Sequence, residues 1–151
     1  MSTRCRIAVR NSDDTFTSIY CHWGGFPREV GLTLRDHYTA TAKVRALLAL
    51  GDLSELGAEL GQRHGFEDHS HPDWTTAYGR DRGDPDTAAL QSADLEALIA
   101  AAQECGAEWL YIWTGHGWQA AEGGIAYFGL PADKPPGGLE SIEYWLQRRP
   151  E

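Results

Sequence analysis

The sequence predicts one α+β domain over residues 1–151, in which a mainly antiparallel sheet packs with about five helices. Three observations support this fold class: an alternating hairpin at the N-terminus, helical periodicity in the middle of the chain, and Trp-rich alternating strands near the C-terminus. Apolar residues make up 42% of the chain and charged residues 23%. A chain of this size and composition buries enough surface to fold without disulfides or a structural metal.

The N-terminal hairpin is predicted from two alternating segments. Arg4–Arg10 indicates a half-buried strand, and Phe16–Trp23 indicates its partner across a turn at 11–14. The side chains of the second strand divide between two faces: Ile19, Cys21 and Trp23 toward the core, and Ser18, Tyr20 and His22 on the opposite side.

Apolar residues at helical spacing predict the helices. Asp52 with Glu55 resembles a capping box for a short third helix, and Ser92 is expected to cap the fourth. In chain order the predicted helices are Pro27–Tyr38, Thr41–Leu50, a short one carrying Leu53, Leu56 and Leu60, one carrying Leu95, Leu98, Ile99 and Ala102, and a last one carrying Leu139, Ile142 and Trp145 or Leu146.

A polar segment at about 61–91 is rich in Gly, His, Asp and Pro, and it predicts a long loop with at most a short strand around Thr75–Tyr78. Trp109, Tyr111 and Trp113 share one face of a later strand, which favours core packing over an aromatic platform for a partner. The remaining predicted elements are strands at Glu108–Trp113, Trp118–Ala121 and Ile125–Leu130 and a loop at Pro131–Gly138.

Charge is distributed unevenly along the chain, whose net charge is −9. Residues 1–50 carry seven Arg and Lys against four Asp and Glu, whereas residues 83–143 carry ten acidic residues against one Lys. Direct binding to duplex DNA is not expected, because phosphate contacts supply most of that affinity. The acidic segment is either a solvated surface or a face that engages a basic partner. The candidate partner-binding residues are Asp94, Glu96, Glu104, Glu108, Glu122, Glu140 and Glu143.

Two motifs are candidates for binding an anion or a nucleobase. The first ends the hairpin, where aromatic side chains and a nearby arginine can stack on a base or hold a phosphate. The second, Tyr78–Gly83, carries two arginines that can clamp an anion. The alternatives are an aromatic cluster that packs the hairpin, and an Arg/Asp run whose charges pair locally. The candidate ligand-binding residues are Tyr20, His22, Trp23, Arg28, Tyr78, Arg80 and Arg82.

No motif in the sequence predicts catalysis, a metal site or a cofactor. His64, His69 and His71 lie close together, but their spacing matches no metal-binding signature. Cys21 and His22 are neighbours on a strand and face opposite sides, so they do not form a nucleophile–base pair. We therefore expect no cofactor and no metal, and we assign no catalytic residue.

The cysteines and the hydropathy of the chain bear on its compartment. Cys5, Cys21 and Cys105 are odd in number and widely spaced, which does not fit a secreted disulfide framework. No apolar run approaches the roughly 20 residues that span a bilayer, and the N-terminal residues do not read as a signal peptide. We expect a cytoplasmic protein with reduced thiols and no membrane partner.

Several segments resemble a family of small proteins found in bacteriophages and, as prophage cargo, in bacterial genomes. The resemblance is carried by the MSTR start, by Ile19–Trp23 with Phe26 and Pro27, and by the YGRDRG motif at Tyr78–Gly83. This chain departs from the family pattern at Gly24 and Phe26, where the family has Asp and Tyr. The resemblance implies a phage context and the host cytoplasm, where small acidic accessory proteins often counter host defence.

These observations together favour a non-enzymatic accessory protein that counters host antiviral defence by binding. It would either sequester a nucleotide second messenger through the two motifs or block a host defence protein through an acidic face. A nucleotide-binding domain of this size is expected to be a homo-oligomer, because subunit interfaces supply concave pockets. The alternatives are a structural or assembly protein of the virion, and a small phosphodiesterase or nuclease-like enzyme that uses the histidines.

Overall fold

The computed structural model describes residues 2–122 and 139–148, and its centre is an eight-stranded sheet. A π-helical turn at Pro27–Gly31 precedes the first α-helix. The strands are β1 (Cys5–Arg10), β2 (Phe16–Cys21), β3 (Leu53–Glu55), β4 (Thr76–Ala77), β5 (Leu90–Ser92), β6 (Trp109–Trp113), β7 (Trp118–Glu122) and β8 (Glu140–Ser141). The helices are α1 (Leu32–His37), α2 (Thr41–Ala49), α3 (Tyr78–Arg82), α4 (Leu95–Glu104) and α5 (Ile142–Arg148).

The sheet order is β4-β3-β2-β1-β6-β7-β8, and β5 also pairs with β2. β1 and β2 form the predicted antiparallel hairpin, with Cys5 opposite Cys21. β6 and β7 form the predicted C-terminal hairpin, with Trp113 opposite Trp118. Two pairs are parallel, β1 with β6 and β2 with β3. The predicted α+β class and the mainly antiparallel sheet are confirmed.

Hydrophobic cores lie on both faces of the sheet. The first includes Ile7, Ile19 and Tyr111 and extends to side chains of α1, α2 and α5. The second joins Ala8 and Leu110 to the buried side of α4. The expectation that β1 is half buried is wrong, because α4 packs over its second face and leaves Ala8 fully buried.

The predicted third helix at 52–60 is wrong, because this segment contributes β3 to the sheet. Leu53 pairs with Cys21, and one oxygen of the Asp52 carboxylate accepts the backbone amide of Tyr20 at 3.0 Å. The Asp52 side chain therefore fastens two strands and does not cap a helix. Its neighbour Leu53 is fully buried in the first core.

The cap of α4 and the segment at 27–38 also differ from the prediction. Ser92 ends β5, and Asp94 caps α4 by accepting the Ala97 amide at 2.8 Å. The predicted helix over 27–38 is a π-helical turn followed by α1. Its predicted stripe is confirmed, since Val30, Leu34 and Tyr38 are all buried.

The segment at 61–91 contains more regular structure than the predicted loop. It holds β4, α3 and β5, and the part before β4 is fastened to the chain at 57–60 by backbone hydrogen bonds such as Thr75 N to Glu59 O at 2.9 Å. The predicted strand Ile125–Leu130 and loop Pro131–Gly138 lie outside the described residues. Each helix in the described part of the chain falls short of the length and apolar character that crossing a bilayer requires.

Candidate functional site

A cleft of about 680 Å³ opens at the end of the sheet where β1 begins and where β2 and β3 end. Its walls come from four parts of the chain: the N-terminal segment, the turn after β2, the β3–β4 pair and the loop at 61–75. We call it the aromatic-acidic cleft. The residues that line it are Thr3, Trp23, Gly24, Phe26, Glu29, Ser54, Glu55, Phe66, Glu67, His69 and Thr76.

Trp23 is the most exposed large aromatic residue of this cleft. The sequence placed it in the core, but its side chain is on the surface and the residue is 47% exposed. β2 ends at Cys21, so Trp23 lies beyond the strand, although its amide still donates to Ser54 O at 3.0 Å. Trp is enriched at the hot spots of binding surfaces, which makes the exposed Trp23 ring a candidate contact.

The turn after Trp23 requires its two glycines. Gly24 has φ +71°, and a Cβ on Gly25 would lie 2.8 Å from the carbonyl oxygen of Thr3. The Tyr111 hydroxyl donates to Gly25 O at 2.7 Å and fixes the turn from the core side. The turn therefore delivers both Trp23 and Phe26 to the wall of the cleft.

Tyr20 and His22 support Trp23 from behind. The Tyr20 hydroxyl and His22 Nδ1 are 2.6 Å apart, and the His22 ring meets the Trp23 indole edge-on at 4.8 Å between centroids. Burial raises the pKa of Tyr20 to about 12, so the phenol stays neutral at physiological pH. Tyr20, His22 and Trp23 thus lie together, and the exposed ring among them is that of Trp23.

The second motif folds into α3, and its first arginine is engaged inside the protein. Arg80 contacts both carboxylate oxygens of Asp81, at 2.9 and 3.1 Å. It also donates to the carbonyls of Leu60 and Thr75, at 2.8 and 2.7 Å. The local pairing that the sequence left as an alternative is what the structure has at Arg80.

The second arginine of the motif supports the wall of the cleft. The Arg82 guanidinium lies 4.3 Å from the ring centre of Phe66 and 5.1 Å from that of Tyr78, and it pairs with Asp84 at 2.8 Å. Phe66 and Tyr78 stack with their centroids 5.6 Å apart. Trp23 of the first motif therefore lines the cleft directly, whereas the second motif bears on it only through Phe66, against which Arg82 and Tyr78 pack.

The cleft has an acidic electrostatic character. Glu29, Glu55 and Glu67 line it and are all exposed. None of the described residues that line it is a lysine or an arginine. Within residues 2–122 and 139–148, neither Glu29 nor Glu55 has a cation at ion-pair distance. Carboxylates around aromatic faces favour a cationic ligand, whereas the sequence had favoured an anion.

Arg28 does not join Tyr20 and His22. It is exposed on the π-helical turn, which packs with α5 on the sheet face that carries Cys21. Tyr20 alternates with Ile19 and Cys21 in β2, so its side chain lies on the other face. The structure thus separates Arg28 from the pair that it was expected to assist.

The acidic residues predicted to bind a partner do not share one surface. Asp94, Glu96 and Glu104 are exposed on or next to α4, and Glu108 follows on that side. α5, which carries Glu143, packs on the opposite sheet face, where Glu143 lies 3.4 Å from Arg35. The last two of the set, Glu122 and Glu140, belong to strands at the β7–β8 edge.

The three histidines of the loop have separate roles. His64 Nε2 contacts the Thr76 hydroxyl at 3.2 Å, and its amide donates to Asp81 at 3.1 Å. His71 stacks on Trp74 with 3.8 Å between ring centroids. His69 alone lines the cleft. No group of three or more metal-ligating side chains comes together in the part of the chain that the structure describes.

The carboxylates of the cleft and its Phe26 and Phe66 rings were not among the candidate residues. Phe26 belonged to a recognised motif, but no sequence pattern links the segments that supply Glu29, Glu55, Phe66 and Glu67. The parallel pairing of β3 with β2 is what brings Glu55 beside Trp23. Comparison with known proteins gave no match among family models, curated proteins or solved structures.

Proposed function

We propose that this chain is a small non-enzymatic binding protein that takes a basic segment of a partner protein into the aromatic-acidic cleft. The observation that carries the proposal is the exposed Trp23 ring beside Glu29 and Glu55, in a cleft whose described lining has no lysine or arginine. The sequence had suggested that a partner protein is bound through the acidic C-terminal residues. We assign that binding to the cleft instead.

The chemistry of the cleft suits the side chain of Arg or Lys. A cation over the face of an indole ring is attracted by the ring quadrupole, and the attraction grows as water is excluded. Glu29, Glu55 and Glu67 then supply acceptors for the charged N–H groups. A volume of about 680 Å³ lies in the range of protein ligand sites and admits more than one side chain.

The supports around the cleft favour binding over catalysis. His22, whose ring centroid lies 4.8 Å from that of the Trp23 indole, contacts Tyr20 and the edge of Trp23. It therefore holds a binding ring in place, which is a positioning role. Arg82 likewise packs against Phe66, another ring that lines the cleft.

The phage context implied by the resemblance gives this partner a biological class. We infer that the partner is a host defence protein with a basic surface, including one that normally holds nucleic acid. An acidic protein can compete for such a surface by matching its charge, and the charge also accelerates the encounter. The net charge of −9 agrees with that role.

The experiment measures binding of fluorescent hexapeptides that contain Arg or Lys by polarisation, with acidic peptides of equal length as the reference. We expect basic peptides to bind, and we expect salt to weaken this binding by screening the charges. Trp23→Ala and Glu55→Gln should each weaken binding roughly tenfold, which is about 1.4 kcal/mol. Glu96→Gln is the matched control, because Glu96 is an exposed carboxylate on α4.

Two outcomes would overturn the proposal. One is equal peptide affinity for Glu55→Gln and Glu96→Gln, which would show that only net charge matters. The other is tighter binding of acidic peptides than of basic ones. A parallel titration with spermidine separates the two sources of a cation: if the free polyamine binds better than every basic peptide, the ligand is a small cation and not a protein segment.

A further inference from the structure

A second and smaller cavity adjoins the aromatic-acidic cleft. Its volume is about 120 Å³, and four of the residues that line it, Trp23, Gly24, Glu29 and Glu55, also line the cleft. Sites that enclose a whole small ligand usually measure about 300 to 1,000 Å³, so a cavity of this size suits a single side chain. We call this cavity the side pocket.

One part of the wall of the side pocket is apolar. Val30 is buried on the π-helical turn and Leu56 is partly buried after β3, and both line the side pocket but not the cleft. Thr33, in the first turn of α1, also lines the side pocket but not the cleft. Long cationic side chains bury their carbon stems against apolar surface of this kind, which Val30, Leu56 and the Trp23 indole provide.

The other part of the wall is negatively charged. Glu29 and Glu55 are exposed, and the described part of the chain brings no cation to ion-pair distance of either carboxylate. One oxygen of Glu29 lies 3.3 Å from the position that a Cβ on Gly24 would occupy, so the missing side chain leaves room beside this carboxylate. None of the described residues that line the side pocket is a lysine or an arginine. The side pocket therefore combines an apolar wall for a stem with two acceptors for a cation.

We propose that the side pocket is a lysine subsite, in which one lysine of the bound basic segment gives its ammonium group to Glu29 and Glu55. This inference rests on the proposed function of the cleft and names one residue of its ligand. Lysine carries a compact ammonium on a flexible stem, and its N–H donors reach two separate carboxylates. Arginine has a wide planar fork that pairs best with one carboxylate in its plane, and the larger cleft has the room for it. Acetylation of the lysine removes its charge and should therefore weaken binding of the segment.

The test uses hexapeptides that share one arginine and differ only at the next residue, which is lysine, arginine or acetyl-lysine. Their affinities for the whole chain are measured by fluorescence polarisation. We expect the lysine peptide to bind roughly tenfold more tightly than either of the others, because only lysine brings a charge that fits the side pocket. In NMR spectra of the wild type, the lysine peptide should shift the methyl signals of Val30 and Leu56, and the acetyl-lysine peptide should leave them in place.

Thr33→Phe adds bulk to the side pocket and not to the cleft, because Thr33 lines only the side pocket of the two. It should lower the affinity of the lysine peptide to that of the arginine peptide, which the cleft alone binds. Thr39→Phe is the matched control, because it makes the same change at an exposed residue that lines neither cavity. The thermal midpoint of each variant shows whether its fold persists.

Three results would overturn the lysine subsite while leaving the cleft as a site for basic peptides. The first is equal affinity of the wild type for the lysine and arginine peptides. The second is a preference for lysine that survives in a folded Thr33→Phe variant. The third is a lysine peptide that binds without shifting the Val30 and Leu56 methyl signals, and this result needs no variant. If no basic peptide binds the wild type at all, the proposed function of the cleft fails together with the subsite.

Discussion

Arg80 and Asp81 are neighbours in sequence, and their side chains form a two-point ion pair in which the Asp81 carboxylate is fully buried. The same carboxylate accepts the amides of Ala77 and His64, at 2.8 and 3.1 Å. The pair thus joins α3 and β4 to the loop that supplies Phe66, Glu67 and His69 to the cleft. A charge pair in a short motif sets the position of one wall of the candidate site.

Replacing Asp81 should destabilise the protein strongly. Asp81→Asn leaves the Arg80 guanidinium partly buried without its counter-charge, and breaking such a pair costs roughly 3 kcal/mol. The measurement is the free energy of unfolding in urea at pH 7. Asp84→Asn is the control, because Asp84 pairs with Arg82 at the surface and its loss should leave stability nearly unchanged. Equal effects of the two variants would contradict the role given to Asp81.

The contribution of Asp81 should also depend on pH. Burial acts to raise the pKa of Asp81, but hydrogen bonds from Arg80 and from the amides of Ala77 and His64 outweigh it, and the net pKa is lowered. A lowered folded pKa means that the stabilisation is complete above the unfolded value of about 3.9 and is lost as the pH falls through the folded value. The difference in unfolding free energy between the wild type and Asp81→Asn should therefore be constant from pH 5 to 7 and shrink below pH 4. A difference that grows on acidification would contradict this assignment.

The sheet could be predicted wherever alternation is local. β1, β2, β6 and β7 follow from alternating residues joined by short turns, and their pairing needs no distant contact. β3 could not be predicted in this way, because three residues show no period and Leu53 fits a helix as well as a strand. This segment becomes a strand because it meets groups that are distant in sequence. It pairs with the edge of β2, and the Asp52 carboxylate accepts the backbone amide of Tyr20.

The candidate site was predictable only in part for the same reason. Both motifs could be recognised in the sequence. Residue type alone does not predict that Arg80 pairs with a carboxylate or that Arg82 packs on the Phe66 ring. The sign of the ligand charge depends on which other residues gather there. Glu29, Glu55 and Glu67 come from three separate segments, so their common cleft exists only in the folded chain.

The three cysteines should differ in reactivity. Cys5 and Cys21 are fully buried, and burial, followed by the neighbouring Cys21, raises the pKa of the Cys5 thiol well above its usual value. Cys105 is partly exposed. At pH 8, iodoacetamide should modify Cys105 first and reach the other two only on unfolding, as mass spectrometry of the labelled peptides would show. Cys105→Ser should abolish the fast reaction, and rapid labelling of Cys5 would contradict the buried position.

Tyr20 should affect cleft binding through Trp23 and not by itself. Tyr20→Phe removes the hydroxyl that lies 2.6 Å from His22 Nδ1, which frees the His22 ring that packs against Trp23. We expect basic peptides to bind roughly threefold to tenfold more weakly, as for one lost hydrogen bond. In a Trp23→Ala background the same change should have no further effect, because the ring that Tyr20 positions is gone. Loosening of the ring would also narrow the NMR signal of the Trp23 indole N–H, while the thermal midpoint stays near that of the wild type. Additive losses of affinity in the double variant would show that Tyr20 acts on the ligand by another route.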